Sequence, residues 1–331
     1  MAKAIPVAEA YRELYHYTTV NGLLGIVSNQ VLWATHIGYL NDAEEQIGFF
    51  ERRLATLIET PAREAIVELA KMPSGKSAID KMGGSELALT SLVRDLATGI
   101  RSTSATIYQP YVASFCGSPV DGKPNDGLLS QWRGYGHDGG YAIVFDTAAL
   151  ESLIRFEERE FHYLSVLWGD VDYVPSLNGG DLKHPETKEW ELLIHETVKN
   201  FVLLPSREKL EPLFEPIVAL SCRHKHAGFH EEAEVRIAVM NPAEHVRVEA
   251  RTLGERRELK RVNFLTRDGM LLPYVSLFER KPAEQQVLPI KRIIVGPHPD
   301  KLKRKKAVEM LLAEHKNCAE VVFSDIPYLG R

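Results

Sequence analysis

Residues 128–146 read LLSQWRGYGHDGGYAIVFD. Four glycines fall within the seven positions 134–140, and they allow a backbone that turns sharply and lies close to a ligand. The apolar run 141–146 is rich in β-branched and aromatic residues, which predicts a buried strand. We therefore expect a binding loop held by a core strand, or else a glycine-rich hairpin whose aromatic rings only cover the edge of the core. The side chains that would bind a ligand are Gln131, Trp132, Arg133 and Tyr135.

The composition is that of a globular protein without a strong charge. Of 331 residues, 44% are hydrophobic and 26% are charged, and the net charge is −5 at pH 7. This balance gives no general electrostatic sign of nucleic-acid binding, and no apolar run is long enough to span a bilayer. Three scattered cysteines argue against a disulfide framework. We expect a cytoplasmic bacterial protein with no membrane partner.

Strand and helix patterns alternate irregularly along the chain. Apolar runs predict strands at 14–18, 31–34, 111–116, 141–146, 233–240, 245–250, 258–264, 270–278, 287–295 and 321–323, and two strands within 158–173 that are joined by a turn at 169–170. Helical patterns are found at 7–12, 20–28, 85–99, 147–154, 183–220 and 299–315, and turn residues predict a loop at 73–84. Because βαβ repetition is rare, we predict one α+β domain over residues 1–331, with a mainly helical insertion at about 42–104.

A histidine and a hydroxyl group lie together at the end of the first predicted strand, in Tyr15-His16-Tyr17-Thr18. At neutral pH a histidine can bind a sugar hydroxyl or transfer a proton. A single histidine on a strand is more often a structural residue. This segment therefore indicates a site only in combination with others.

Two glutamates and an arginine alternate in the sequence FHEEAEVR at 229–236. If residues 232–239 form a strand, Glu232, Glu234 and Arg236 share one face, because successive side chains of a strand point to opposite sides. Such a row can present a carboxylate to a cleft while the guanidinium holds its neighbour. The alternative is a solvated strand face with an ion pair of little energetic value.

A metal site is not predicted. Histidines and a cysteine occur together at Cys222, His224, His226 and His230, but their spacing is not that of a known zinc motif. The chain also lacks a Walker loop, a GxGxxG motif and a GxSxG elbow, which weakens the P-loop, Rossmann and α/β-hydrolase interpretations.

Together these segments resemble the bacterial family DUF2971. The resemblance is carried by LYHYTTVNGLLGIVSNQVLWATHIGYLNDAEE at 14–45, by residues 128–146, by FHEEAEVR at 229–236, and by the strand, Gly-Pro and helix around 293–297. The pieces QWRGYG and ExEVR are fairly specific in combination. The family name records no function.

A more remote resemblance implies a function. The strand that ends in His16-Tyr17-Thr18, followed by a short helix and Leu32-Trp33, is similar to the opening of ADP-ribosyltransferase folds. It implies a split β-sheet core and NAD as the substrate, with a first-strand histidine on a ribose, an aromatic ring on nicotinamide and a late-strand glutamate. The corresponding residues would be His16, one of Tyr135, Trp132 and Tyr17, and one of Glu232 and Glu234.

The resemblance thus implies Glu232, Glu234 and His16 as catalytic residues. The implied NAD-binding residues are His16, Tyr17, Thr18, Gln131, Trp132, Arg133, Tyr135 and Arg236. The acceptor of ADP-ribose, a protein or a nucleic acid, stays open, and a toxin or an anti-phage defence effector is implied. Two other classes also stay open. One is a metal-dependent nuclease that uses His16, Asp42, Glu45 and the Glu232 segment, and the other is a non-catalytic module that senses a ligand.

Overall fold

The structure is a computed structural model, and it describes residues 6–40, 48–117, 126–135, 139–174, 184–267, 269–279 and 287–327. Its strands are β1 (Glu13–Thr18), β2 (Leu32–His36), β3 (Tyr108–Gly117), β4 (Tyr141–Asp146), β5 (Ser165–Asp170), β6 (Asp172–Val174), β7 (His224–His226), β8 (Glu234–Pro242), β9 (Asn263–Arg267), β10 (Met270–Leu277), β11 (Ile290–Val295) and β12 (Glu320–Phe323). Its α-helices are α1 (Val7–Ala10), α2 (Val20–Asn29), α3 (Leu54–Leu69), α4 (Pro73–Lys81), α5 (Ser85–Ile107), α6 (Leu129–Tyr135), α7 (Thr147–Glu160), α8 (Pro185–Leu203), α9 (Glu211–Arg223), α10 (Glu244–Thr252) and α11 (Lys301–Glu314). Helices combined with one large, mainly antiparallel sheet confirm the predicted α+β class.

The large sheet forks at β3. One edge of β3 pairs with β8 along residues 108–116. On the other edge, β1 pairs with β3 at Cys116 and Gly117, whereas β2 pairs with it at Tyr111 and Val112. The sheet continues from β1 through β4, β11 and β12, and from β2 through β10 and β9. Two half-sheets therefore diverge from β3, and residues 113–115 lie between them.

Helices cover both faces of this sheet. On one face, apolar side chains of α2, α7 and α11 pack against β1, β3, β4, β8 and β11, and we call this cluster the main core. On the other face, α6 packs through Trp132 and α9 through Val218 and Cys222. Strands buried on both faces need apolar side chains in both directions, which explains why β4 reads YAIVFD without a polar alternation. The strand predicted at 141–146 is confirmed at both ends.

A second hydrophobic cluster lies among the helices. The segment between β2 and β3 contains α3, α4 and α5, and α3 packs against α5 and α8. The loop predicted at 73–84 is wrong, because Pro73 occupies the first turn of α4, where a missing amide costs nothing. Gly83 and Gly84, both with positive φ, then separate α4 from α5.

Three further predictions of local structure are wrong. Residues 131–135 belong to α6 rather than to a loop, and residues 245–250 form most of α10 rather than a strand. The turn predicted at 169–170 is absent, since both residues pair with β8 within β5. By contrast, the strand predicted at 270–278 is found as β10, which forms an antiparallel hairpin with β9, with Arg267 opposite Met270. None of the described helices combines the length and apolar character that crossing a membrane requires.

Candidate active site

β8 carries charged residues through the middle of the sheet. It lies between β3 and β5, and each of its residues is buried. Val235 and Ile237 face the main core, so Glu234 and Arg236 face the opposite side, where Cys116 is the cross-strand neighbour of Glu234. Such charges have to be neutralised internally, because an unpaired buried charge strongly destabilises a fold.

Glu232 is not part of this strand, so the predicted row of Glu232, Glu234 and Arg236 is wrong in this respect. Glu232 ends a 3-10 helical segment, Ala227–Glu232, and Ala233 follows in the left-handed conformation with a φ of 42°. Alanine rarely adopts this conformation. Here a hydrogen bond of 2.8 Å from the amide of Gly117 to the carbonyl of Ala233 holds it. The turn leaves Glu232 close enough to Glu234 for both carboxylates to contact Lys225.

Lys225, on β7, joins the two glutamates. Its Nζ donates to Oε2 of Glu232 at 2.7 Å and to Oε2 of Glu234 at 2.6 Å. Arg236 donates from Nε to Oε1 of Glu234 at 2.6 Å and from Nη1 to the carbonyl of Cys222 at 2.8 Å. We call Lys225, Glu232, Glu234 and Arg236 the carboxylate cluster. Both oxygens of Glu234 accept from cations, whereas the side chain of Glu232 is 15% exposed, against 4% for Glu234.

The carboxylate cluster keeps Glu234 ionised. Burial by itself would raise the pKa of this group, but the charges and hydrogen bonds of Arg236 and Lys225 outweigh burial and lower the pKa to about 2. The opposite effect operates at Cys116, where desolvation and the nearby charges of Glu232 and Glu234 raise the pKa of the thiol well above its usual value. Cys116 is therefore a neutral packing residue and not an activated nucleophile.

Two of the predicted NAD-binding aromatic residues hold α6 in place. Trp132 is buried, its Nε1 donates to the carbonyl of Asp126 at 2.8 Å, and its ring meets Tyr17 edge-on at 4.9 Å between centroids. The hydroxyl of Tyr17 accepts from the amide of Leu128 at 2.8 Å. Gln131 is buried as well. Trp132 and Tyr17 attach α6 to β1, and the burial of their two rings leaves no ring face for a ligand.

Tyr135 differs from these rings. It is 38% exposed at the end of α6. Desolvation and the negative charge of Glu234 raise the pKa of its hydroxyl to about 12. The helix α6 packs through Trp132 on the face of Cys116, which is the cross-strand neighbour of Glu234. Arg133 is exposed on the same helix. α6 therefore brings one accessible ring and one guanidinium to the side of the sheet that carries the cluster.

The sheet separates His16 from the two glutamates. His16 is the cross-strand neighbour of Ile143, and its ring lies 5.8 Å from that of Phe115. Both neighbours belong to the main core, on the face opposite Glu234. Nδ1 of His16 lies 2.9 Å from the carbonyl oxygen of Ser114, inside the fork. Because a carbonyl only accepts, Nδ1 carries the proton and Nε2 an acceptor lone pair, and burial lowers the pKa of the ring below its usual value.

Thr18 is placed by packing. A Cβ on Gly22 would lie 1.9 Å from Oγ1 of Thr18, so this hydroxyl lies directly against α2. The cap of α2 is the next residue, Thr19, whose Oγ1 accepts from the amide of Gly22 at 3.3 Å.

The described part of the chain contains no group of three or more side chains that could hold a metal ion. Cys222 is fully buried, and desolvation raises the pKa of its thiol to about 12. His226 and His230 hydrogen-bond to the backbone of their own segment. Of the residues in the nuclease hypothesis, Asp42 and Glu45 lie outside the described residues, and His16 lies across the sheet from Glu232.

Lys225 is the site residue that the sequence did not reveal. It stands between two histidines in a short strand, and nothing in that local pattern distinguishes it from a surface lysine. The acidic pair at 232 and 234 was the one signal in the sequence that could have indicated a buried cation, since two carboxylates near a buried strand need a positive charge beside them.

The fold and the site define an α+β protein with a buried carboxylate cluster on a forked sheet. Residues 131–237 match a family described as protein of unknown function (DUF2971). The predicted resemblance to that family is therefore confirmed over this segment. The match begins in α6 and ends in β8, so it includes Tyr135, Lys225 and the two glutamates. No curated protein and no solved structure matches the chain.

Proposed function

We propose that this protein cleaves the bond between nicotinamide and ribose in NAD, as an ADP-ribosyltransferase or an NAD glycohydrolase. The observation that carries the proposal is the arrangement of Glu232. Its carboxylate is fixed through one oxygen by Lys225, is partly exposed, and lies on the face of the sheet to which α6 brings Tyr135. The fork in the sheet agrees with the split core that the remote resemblance implies.

The chemistry needs few groups. Cleavage of a glycosidic bond develops positive charge on the sugar. Nicotinamide leaves as a neutral molecule from a cationic precursor, so no general acid is required. A carboxylate next to the ribose stabilises the developing charge and can accept a hydrogen bond from the 2′-hydroxyl. In the proposed complex Glu232 does this, whereas Glu234, Lys225 and Arg236 position Glu232.

The remaining contacts follow from the placement of α6 and the fork. Tyr135 would stack on nicotinamide, and Arg133 would meet the pyrophosphate. Nε2 of His16 would accept from a ribose hydroxyl. Since His16 and Glu232 lie on opposite faces, a ligand that reaches both has to enter the fork beside Ser114, where the half-sheets diverge.

The test is the release of nicotinamide from NAD by the purified protein, followed by chromatography. We expect release by the wild type and a loss of about 100-fold in Glu232→Gln, since removal of one preorganised electrostatic group typically costs 10²- to 10³-fold. Glu249→Gln on α10 is the matched control, because Glu249 is exposed and belongs to no part of the cluster. It should keep the wild-type rate.

Two outcomes would contradict the proposal. The first is a wild-type protein that releases no nicotinamide and shows no heat of NAD binding in calorimetry. The second is a Glu232→Gln variant with the full rate, which would remove Glu232 from the mechanism. Thermal unfolding of both variants shows whether a lost rate reflects a lost fold.

A further inference from the structure

A strongly basic segment lies outside the carboxylate cluster. Residues 301–306 read KLKRKK, so five of six residues are cationic in a chain whose net charge is −5. They form the first part of α11. Cations are unfavourable there, because the N-terminal end of a helix carries partial positive charge. Helix stability does not explain this placement, whereas an external polyanion would.

Aromatic rings support the inner cations. Nζ of Lys301 lies 4.2 Å from the centroid of the Phe323 ring, and Nζ of Lys305 lies 6.0 Å from it. The guanidinium of Arg304 lies 5.0 Å from the ring centroid of Tyr141. These contacts hold three charges along one side of α11.

The outer cations face solvent. The side chains of Lys303 and Lys306 are 87% and 73% exposed. Asp300, Glu309 and Asp325 approach the cations of this segment at 3.3–3.9 Å, but surface ion pairs of this kind contribute little to stability. Five cations against three carboxylates leave the surface positive. We call Lys301, Lys303, Arg304, Lys305 and Lys306 the basic surface.

The basic surface adjoins the segment that follows α6. A Cβ on Gly139 would meet Nη1 of Arg304 at 2.2 Å, so Arg304 lies against the backbone there. The amide of Gly296 donates to the carbonyl of Gly140 at 3.2 Å, which joins this segment to the loop before α11. Tyr135 ends α6 only four positions before Gly139, so the basic surface lies at the end of the sheet to which the chain leads from α6. Because α11 itself packs on the main-core face, a strand bound there has to pass over this end of the sheet to reach Glu232.

We propose that the basic surface binds the phosphates of a single-stranded nucleic acid, and that a base of this strand accepts the ADP-ribose. The identity of the acceptor rests on the proposed function, whereas strand binding does not. Lysines that act as separate point charges suit a phosphate backbone. A single strand is required because a base inside a duplex is stacked and paired, out of reach of an active site.

The transfer step balances without another reactant. The C1′–N bond to nicotinamide breaks, and its electron pair leaves with nicotinamide and neutralises the ring. A lone pair on a nitrogen or oxygen of the base forms the new bond to C1′. The proton of that acceptor atom goes to Glu232 or to water. The products are ADP-ribosylated nucleic acid, nicotinamide and one proton.

Binding is measured first, without NAD, by fluorescence anisotropy of a labelled 20-nucleotide single strand, as DNA and as RNA. We expect Lys303→Glu combined with Lys306→Glu to weaken binding at least tenfold. The logarithmic salt dependence should become shallower by about 1.4, since each lost contact to a single-stranded phosphate contributes about 0.7. Both side chains are mostly exposed, and substitutions at such positions change stability little, so the double variant should retain its thermal stability.

Lys71→Glu with Lys76→Glu is the matched control, because both lysines are exposed in the helical region and the change in charge is the same. It should bind like the wild type. Three results would overturn the proposal. The protein binds no oligonucleotide, both double variants weaken binding equally, or the protein binds phosphatidylserine vesicles but not oligonucleotides.

With NAD added, mass spectrometry of the strand separates the two proposals. Attachment of ADP-ribose supports both. Nicotinamide release without attachment would overturn the acceptor and keep the proposed function. Strand binding without any nicotinamide release would overturn the proposed function while supporting the basic surface as a binding site.

Discussion

Two buried lysine–glutamate clusters of this protein differ in their access to solvent. In the first, Nζ of Lys260 lies 2.9 Å from Oε1 of Glu157, which also accepts from the hydroxyl of Tyr163 at 2.7 Å. Oε2 of Glu157 accepts from the amide of Phe278 at 2.9 Å, and Lys260 donates to the carbonyl of Ser276 at 2.7 Å. The two charged side chains are 1% and 2% exposed. The exposed Glu279 lies 4.0 Å from Nζ of Lys260, which is beyond hydrogen-bond distance. We call this cluster closed for that reason, and it ties α7 to the end of β10.

The carboxylate cluster is open at one position. Glu234 is as well enclosed as Glu157, but the same lysine that neutralises Glu234 also holds Glu232 at the surface. The comparison shows that a buried ion pair is not in itself a sign of a site, because such pairs also stabilise folds or are merely tolerated in them. A carboxylate that a buried cation holds in place, and that is itself partly exposed to solvent, is able to bind a ligand.

The largest effect is expected in the closed cluster. Lys260→Met leaves Glu157 buried without its cation, and breaking such a pair costs about 3–5 kcal/mol of unfolding free energy. Urea unfolding measures the loss, and Lys76→Met, at an exposed position, should change stability by less than about 0.5 kcal/mol. The rate of nicotinamide release per folded molecule should stay unchanged. A loss below 1 kcal/mol would show that the closed cluster has no structural role of this size.

The next effect concerns acid stability. The pKa of Glu234 is about 2 in the folded protein, against an ordinary value of 4.5, so this group stabilises the fold by roughly 3 kcal/mol at neutral pH. Below pH 4.5 the unfolded chain takes up the proton first, and the stabilisation is lost as the pH falls towards 2. Glu234→Gln should therefore be less stable than the wild type at pH 7, and this difference should shrink at pH 3.

Unfolding titrations at a series of pH values measure this change. Glu232→Gln is the control variant, because it leaves the buried carboxyl group of Glu234, and the acid dependence of stability that this group causes, in place. The unfolding free energies of the wild type and of Glu234→Gln could also change in parallel from pH 7 to pH 3. That result would disprove the coupling between Glu234 and its cations.

The smallest effect is expected at Tyr135, at the end of α6 on the face of the sheet that carries the carboxylate cluster. Tyr135→Ala should weaken NAD binding about tenfold, because an aromatic stack contributes roughly 0.5–1.5 kcal/mol. Tyr135→Phe keeps the ring and should bind like the wild type. Calorimetric titration with NAD measures both variants. Equal weakening by the two substitutions would assign the effect to the hydroxyl instead of the ring.

The strands could be predicted where burial is strongest. The run YAIVFD of β4 has one interpretation because both of its faces are covered. The alternation of Val246 and Val248 is different. It suggested a strand, yet none of the described strands pairs with this segment, and Val248 is 59% exposed. Arg247 instead donates to the carbonyl of Pro242 at 2.8 Å, across the first turn of α10. Local propensity decides the structure of such a segment, and alternation misleads.

The candidate site was predictable in part for a related reason. Alternation placed Glu234 and Arg236 on one face of β8, because both lie on a single strand. The face of His16 depends on how β1 pairs with β3 and β4, and pairing between strands distant in sequence cannot be derived from the pattern of one strand. Lys225 comes from β7, outside the large sheet, and its approach to Glu232 follows from the left-handed turn at Ala233.

The joint between α6 and α11 consists of backbone on both sides. A Cβ on Gly296 would lie 1.6 Å from the carbonyl oxygen of Gly139. Backbone atoms have no alternative rotamers, so this joint cannot adjust to a substitution as a side-chain contact can. Mutational tolerance should therefore be distributed unevenly along this part of the chain. Individual lysines of α11 are replaceable one at a time at little cost to folding, whereas even alanine at position 296 would force the two loops apart and shift α11 relative to α6.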